Sequence, residues 1–312
     1  MEHNGESTNF FIVSAEEAST RLDKLLSLHF PGHSRTYFQY LIDQQSVLVN
    51  GECLKKRHLL KAGDEVVVAF LLTPEISLEP QNIPLDVLFE DEHLIAINKP
   101  AGMVVHPAPG HPDQTFVNAL LYHCRSLNVT DPVRPGIVHR LDKDTTGVLL
   151  AAKTAEAHVK LVELFAERRM QKDYLAVCVG TPREGLIDAP IKRHPTQRKE
   201  MAVCFEQGKE AKSRCTVLGK NGQLSLVQIQ LLTGRTHQIR VHLKHVGAPV
   251  LGDAVYGNTG ANKKFGAARQ LLHASRLQFV HPITNFPLEI CAPLPKDLLL
   301  YTEIFHTQCV SC

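Results

Sequence analysis

No stretch of this sequence approaches the roughly 20 apolar residues that a membrane-crossing helix requires. Its opening, Met1-Glu-His-Asn-Gly-Glu-Ser7, lacks the positive lead and apolar core of a secretory signal. The eight cysteines are scattered without a small-domain disulfide pattern, which suits a reducing compartment. These absences lead to the expectation of a cytoplasmic protein. A large charge of either sign is also missing, since 34 Lys and Arg stand against 32 Asp and Glu, a formal charge of +2. A nucleic-acid-binding surface would therefore have to be a local basic patch, offset by acidic stretches elsewhere. Internal repeats and low-complexity segments are absent. Cys309-Val-Ser-Cys312 has C-x-x-C spacing but no second pair, or histidine pair, to complete a zinc site, so it reads as a tail without function.

What is present fits one sizeable core plus a small accessory domain, in a chain of 312 residues. Residues 1–16 read as an extension and residues 17–72 as a small helical-then-extended unit. Leu22, Leu25 and Leu26 form one helical face, and Phe38, Leu41 and Ile42 form the face of a second helix capped by Ser34. Val47-Leu-Val49 runs into the turn pair Asn50-Gly51, and Glu65–Phe70 is a later strand. Basic residues punctuate this unit at Arg21, Lys24, Arg35, Lys55-Lys-Arg57 and Lys61. Residues 73–86, with Pro74, Pro80 and Pro84 among acidic residues, read as a stiff linker.

From residue 87 to 312 strands and helices intermix without regular βαβ units, which predicts an α+β domain with a mainly antiparallel sheet. Strands are expected at Val87–Phe89, Leu94–Ile97, Val148–Ala152, Tyr174–Gly180 and Val227–Leu231. Thr154 can cap a helix with Leu161, Val162 and Phe165 on one face.

Two segments carry candidate chemistry. In Gly136-Ile-Val-His-Arg-Leu-Asp-Lys-Asp-Thr-Thr-Gly147, Asp142 lies in a loop just before an apolar strand, close to Arg140, Lys143 and His139. A loop carboxylate held there suits a nucleophile or base, but taken alone it is better read as a turn-capping aspartate. Asp144 raises the two-carboxylate scheme of a glycosidase, yet residues at i and i+2 do not converge readily. In Thr233-Gly-Arg-Thr-His-Gln-Ile-Arg240, a strand turns into a helix that Thr236 can cap. Arg235 stands at the corner, where a guanidinium can hold a carboxylate or phosphate. His237, Arg240 and Lys244 would share that helix's polar face, opposite Ile239, Leu243 and Val246. His237 and His242 lie roughly 140° apart on such a helix, which argues against a shared metal with His245.

Together these segments resemble the RluA family of pseudouridine synthases. The resemblance rests on Asn98-Lys-Pro through His106-Pro107, His139-Arg-Leu-Asp142 through Gly147, Lys172-Asp-Tyr174, Thr233 through Arg240, and Leu272-His-Ala274 through His281-Pro282. Arg21-Leu-Asp-Lys-Leu-Leu, Ser34-Arg35, Val-Leu-Val-Asn-Gly51 and Lys61-Ala-Gly-Asp64 are similar to the S4 RNA-binding domain. The resemblance implies that Asp142 drives cleavage of a uridine glycosidic bond, and that the base turns and reattaches through carbon 5. It implies that Arg235 ion-pairs with Asp142 and that Tyr174 stacks on the target base, with a sheet-core tyrosine as the alternative. Arg140 would fill the space left by the flipped nucleotide, or pair with a core carboxylate. Ile239 would lie near the base or simply pack its helix, and Lys99 and His106 would support the pocket. Arg35, Lys55, Lys56 and Arg57 would contact RNA. The implied partner is large-subunit ribosomal RNA, met by a monomer, with no cofactor and no metal. The rival readings are a transfer-RNA pseudouridine synthase and a non-catalytic RNA-binding assembly factor.

Overall fold

Leu22, Leu25 and Leu26 recur at helical spacing because they are the buried stripe of the first helix. The computed structural model describes residues 7–31, 35–70, 78–107, 111–124, 127, 135–197 and 200–305. Ser34, Pro74 and the Cys309–Cys312 pair lie outside the described residues. The chain divides into two compact units, residues 1–78 and 79–312.

The first unit runs β1 (Ser7–Ile12), α1 (Leu22–His29), α2 (Arg35–Asp43), β2 (Val47–Val49) and β3 (Glu65–Phe70). Its strands form an antiparallel sheet in the order β1-β3-β2. Strand β1 comes from the stretch read as an extension: Phe11 pairs with Val66 and completes the backbone pairing of β3. Asn50 and Gly51 both take left-handed φ, 52° and 80°, as the tightest hairpin turns require. The main partner of β2 nevertheless lies further along, in β3, with Val49 opposite Val66. Phe38, Leu41, Val66 and Val68 close the core against the leucines of α1.

The second unit begins inside the expected linker. The Asn118 side chain donates to the Glu79 carbonyl at 3.0 Å, and the Gln81 amide donates to the Asn118 carbonyl at 2.9 Å. There follow β4 (Val87–Glu90), β5 (Leu94–Lys99), α3 (Phe116–His123), β6 (Thr146–Ala152), α4 (Ala155–Ala166) and β7 (Gln171–Val179). Next come β8 (Gly185–Asp188), β9 (Ile191–Arg193), β10 (Met201–Val203), β11 (Lys212–Asn221) and β12 (Leu224–Leu231). Then come α5 (Gln238–His245), α6 (Thr259–Phe265), β13 (Leu272–Val280), β14 (Pro287–Cys291) and α7 (Lys296–Thr302), followed by a short 3-10 turn (Glu303–Phe305). Strands β9 and β10 pair as a separate small ribbon.

One sheet in the order β4-β5-β6-β13-β7-β12-β11-β8 organises the unit, with β14 also pairing β13. Its pairings are antiparallel apart from β6 with β13, so the α+β expectation holds. Every residue of β6 is buried because the strand feeds two cores. Leu149 and Ala151 join one cluster, while Val148, Leu150 and Ala152 join the other on the opposite face. Helix α4 is capped by Thr154, whose side chain accepts the Ala157 amide. It buries Ala157, Leu161 and Leu164, whereas Val162, expected in the core, is 44% exposed. Val162 lies one residue, and so about 100° of helix, beyond Leu161. Among the described residues no helix is long and apolar enough to cross a membrane.

The central sheet can close only because Gly147 lacks a side chain. Its φ is 108°, and a Cβ there would stand 2.1 Å from the Ala274 carbonyl oxygen across the β6–β13 pair. Gly147→Ala should cost roughly 2–4 kcal/mol through strain and overpacking. Urea unfolding of the two proteins would read this directly, and matching midpoints would refute it.

Candidate active site

Three connections converge on the middle of the sheet: the loop before β6, strand β7, and the corner from β12 into α5. They line a cleft of about 410 Å³ that includes Arg140, Asp142, Tyr174, Arg235, His237, Ile239 and Arg240. That size is ordinary for a small-molecule pocket and suits one extruded nucleotide better than a duplex.

The loop before β6 is pinned at several points. The His139 Nε2 atom accepts the Leu150 amide at 2.9 Å, and the ring stacks on Phe165 at 4.9 Å. Leu141 sits in the core, while its neighbours Arg140 and Asp142 line the cleft. Lys99 is fully buried, and its ammonium donates to the carbonyls of Pro100, Met103 and Lys143 at 2.8–2.9 Å. Burial pulls the Lys99 pKa down to about 7, against the opposing charges of Asp144 and Asp142. Arg269 donates to the Asp144 carbonyl at 2.9 Å. Backbone carbonyls of both residues that follow Asp142 are thus held by cationic side chains. Asp144 does not line the cleft, so among the described residues the two-carboxylate glycosidase scheme finds no second carboxylate there.

The arginine that holds Asp142 is Arg240, not Arg235. Arg240 Nη1 donates to Asp142 Oδ2 at 2.9 Å, while its Nε and Nη2 clasp Asp253 at 2.7 and 2.9 Å. Burial disfavours the charged guanidinium, but Asp253 and Asp142 outweigh it and raise the Arg240 pKa. Asp253 is fully buried, and Arg240 with the amides of Tyr256 and Val255 holds its carboxyl below the usual range against the cost of burial. Arg235 is exposed, and its Nε donates to the Glu210 carbonyl at 3.0 Å. The expected placement failed because the chain makes a further turn between Arg235 and the helix. The first helical residue is Gln238, and its N-cap is His237 rather than Thr236. Gln238 accepts the Arg235 amide at 3.0 Å and donates to the Lys212 carbonyl and Ser213 hydroxyl, each at 3.0 Å. That bracing aims the side of α5 bearing Arg240 at the Asp142 loop and leaves Arg235 on the solvent side.

The rest of the helix also departs from a simple two-faced pattern. His242 is fully buried between the Ser213 hydroxyl and the Ala189 carbonyl, each at 3.0 Å. Val246 is only partly buried, and Arg240 lies inside rather than on a polar face. Among the described residues no group of three or more His, Cys, Asp or Glu could hold a metal ion.

Tyr174 is 8% exposed and pairs with Ile229 on one side and Ala274 on the other, at the centre of the sheet. Burial, then the charge of Asp142, raise its phenol pKa. Tyr174 and Ile239 share one core cluster and the cleft wall, so the packing and pocket readings coincide at both residues. Arg140 is exposed on the rim. His106 is partly buried, with Nδ1 at 2.6 Å from the Pro107 carbonyl, and is not among the cleft-lining residues.

In the first unit Arg35 is hydrogen-bonded within the fold, while its side chain stays 44% exposed. It donates to both oxygens of the fully buried Asp23 at 2.9–3.1 Å, alongside Arg21 and Gln39. Lys56 pairs with Asp43 at 3.0 Å, while Lys55 and Arg57 are exposed. Sequence reasoning missed Asp253 and Tyr256. The signal was the run Gly252-Asp-Ala-Val-Tyr-Gly257, which sets a carboxylate between glycines as around Asp142.

The model of the RNA pseudouridylate synthase family matches residues 93–245, and that of the S4 domain matches residues 20–66. The chain is 41% identical to the ribosomal large subunit pseudouridine synthase D of Escherichia coli K12, over 95% of this chain and 94% of that one. It is 44% identical to an RNA pseudouridine synthase of Synechocystis, covering 93% and 91%. Among solved structures, human RNA pseudouridylate synthase domain containing 4 superposes with a TM-score of 0.56 at 27% identity, covering 70% of this chain and 92% of that one.

Two measurements follow from this geometry. Arg240→Ala strands the buried Asp253 carboxylate and should cost roughly 3–5 kcal/mol. Arg235→Ala should stay within about 1 kcal/mol of the parent, and similar losses in urea unfolding would contradict the assignment. The second concerns pH. Burial, then Lys172, push His139 down to about 3, and burial pushes His273 down to about 4. The unfolded chain therefore takes up more protons once pH drops below about 6.5, so stability should fall from there toward pH 4. His139→Gln should flatten that slope in pH-dependent unfolding, and an unchanged slope would show that His139 is not responsible.

Proposed function

The chain belongs to the RNA pseudouridylate synthase family, and from that we propose that it isomerises uridines of large-subunit ribosomal RNA, with Asp142 opening the glycosidic bond. The observation that carries this reading is the state of the Asp142 carboxylate. One oxygen is fixed by a buried arginine, while the side chain remains 19% exposed at the cleft. Isomerisation breaks the bond from ribose C1′ to N1 and makes one from C1′ to C5. The C5 proton leaves and N1 gains one, so nothing is consumed. Attack on the sugar, attack on the base and removal of a sugar proton each use the carboxylate anion.

The uridine reaches the cleft by leaving its stack, at a cost of a few kcal/mol, roughly, and least in loops. Tyr174 offers its ring to the base, Ile239 packs beside it, and Arg140 fills the vacated stack from the rim. Arg235 lies beyond hydrogen-bonding company with Asp142 and serves as a rim cation for phosphate, with Arg168 and Lys172 near it in the cleft wall. Arg35, Lys55 and Arg57 are exposed and, with Lys56, serve as the candidates for RNA contact in the S4 unit. Ribosomal RNA as substrate draws its support from the near full-length relatives named for the large subunit. A monomer working in the cytoplasm completes the reading.

Asp142→Asn preserves shape and should reduce pseudouridine formation by at least about three orders of magnitude, with folding and RNA binding retained. Chemical mapping of pseudouridine in cells lacking the gene should show losses in large-subunit ribosomal RNA. Losses confined to transfer RNA would overturn the substrate, and product from Asp142→Asn would overturn the mechanism.

A further inference from the structure

The two oxygens of Asp142 have different company. Oδ2 accepts from Arg240 at 2.9 Å. Among the described residues no hydrogen bond reaches Oδ1, and the one ion-pair neighbour it has there is Nε2 of His237, at 3.8 Å. His237 stands at the N-cap of α5 with φ 58° and ψ 18°, a left-handed conformation that a residue other than glycine adopts at a cost. Strain of this kind persists where the surroundings fix it, and those surroundings are identifiable here.

The proton positions on His237 follow from its other neighbour. Nδ1 lies 2.8 Å from the hydroxyl of Tyr256, a residue only 2% exposed. That oxygen already accepts the backbone amide of Met201 at 2.8 Å. The phenol's own proton needs an acceptor, and among the described residues His237 Nδ1 is the one hydrogen-bonded to it. Nδ1 is therefore the acceptor, and the proton of the neutral ring sits on Nε2, the atom beside Asp142. The charged groups around the ring are Asp142 and Arg140 from the loop before β6, Arg240 from α5, and Asp253 after it. Burial outweighs the two carboxylates and lowers the His237 pKa, which agrees with a neutral ring.

We propose that His237 is a positioning residue for the isomerisation: its tautomer is fixed by Tyr256, and its Nε2–H steers the open oxygen of Asp142 toward the ribose. The proposal rests on the reading of Asp142 as the reacting group. A carboxylate tethered only through Oδ2 can still swing its free oxygen about that contact. A donor beside Oδ1 restricts the swing, and the gap of 3.8 Å closes to a hydrogen bond when substrate fills the cleft. Protonating Nδ1 would reverse the Tyr256 bond, leave the phenol proton without its acceptor and bring a second cation against Asp142, so the device works best with the ring neutral.

Tritium release from large-subunit ribosomal RNA transcribed with [5-³H]uridine reports each turnover, because C5 loses its hydrogen on forming the new bond. His237→Asn tolerates the left-handed backbone but is too short to reach Asp142, whereas His237→Gln has the reach and a donor. His237→Asn should lower kcat about 10- to 100-fold with KM within about 3-fold, and His237→Gln should recover most of the loss. Tyr256→Phe keeps the ring beneath Arg240 but removes the proton that holds Nδ1 as an acceptor. It should lower kcat and move the acid limb of the kcat profile to higher pH. Thermal midpoints of each variant separate these effects from misfolding. The proposal is overturned if His237→Asn keeps kcat within about 2-fold, if its loss appears only in KM, or if Tyr256→Phe leaves the acid limb in place. Asp142→Asn measured alongside distinguishes the two levels: an inactive Asp142→Asn beside a fully active His237→Asn removes only this inference, whereas an active Asp142→Asn removes the reading beneath it.

Discussion

Arg240 lies between two carboxylates, and the site takes its shape from that fork. A buried guanidinium without a partner is untenable, as is the fully buried Asp253. Each makes the other acceptable through two parallel hydrogen bonds of 2.7 and 2.9 Å. The remaining Nη1 then points at Asp142 with no freedom left to point elsewhere. A lysine could neutralise Asp253, but a single ammonium could not reproduce the planar fork that fixes three contacts at once. The Tyr256 ring supports the arrangement, with the Arg240 guanidinium 4.9 Å from its centre.

The same economy of position governs the loop that carries Asp142. Four separate parts of the second unit hold it: Leu150 through His139, Lys99 through the Lys143 carbonyl, Arg269 through the Asp144 carbonyl, and Arg240 through the carboxylate itself. Arg269 is clasped in turn by Asp297 of α7 at 2.6 and 2.8 Å, so the C-terminal helix is tied to the same loop. A loop bearing a reactive carboxylate is ordinarily the least constrained part of a fold. Here its backbone oxygens are held by cations, which keep the side chain in register with the cleft.

Much of this was legible in the residues. Alternation and helical spacing gave half of the described strands and both helices of the first unit. Asp142, Tyr174 and Ile239 were found by their motifs, and all three line the cleft. What failed was the pairing of Arg235 with Asp142. Arg235 and Arg240 are five residues apart in one motif, and choosing between them requires knowing where the helix begins. That start is set by Gln238 bonding back to β11, a long-range contact invisible to local spacing. Asp253 was missed for the same reason, since only the fold brings it to Arg240. Strand β1 was missed because Phe10 and Ile12 are exposed, at 66% and 55%, so its alternation carries no strong burial signal.

The first unit teaches the complementary lesson about charge. Arg35 belongs to a basic stretch and invites an RNA-binding reading, yet it spends its guanidinium on Asp23, whose burial would otherwise be prohibitive. The same logic separates Arg240 from Arg235 in the second unit. In both places an arginine neutralises a fully buried carboxylate, but Arg240 is itself buried whereas Arg35 keeps an exposed side chain on the surface. A net charge of only +2 is then no obstacle to binding RNA. Many of the charges in that sum pair within the fold, and the exposed cations on the cleft rim are local rather than part of a chain-wide excess.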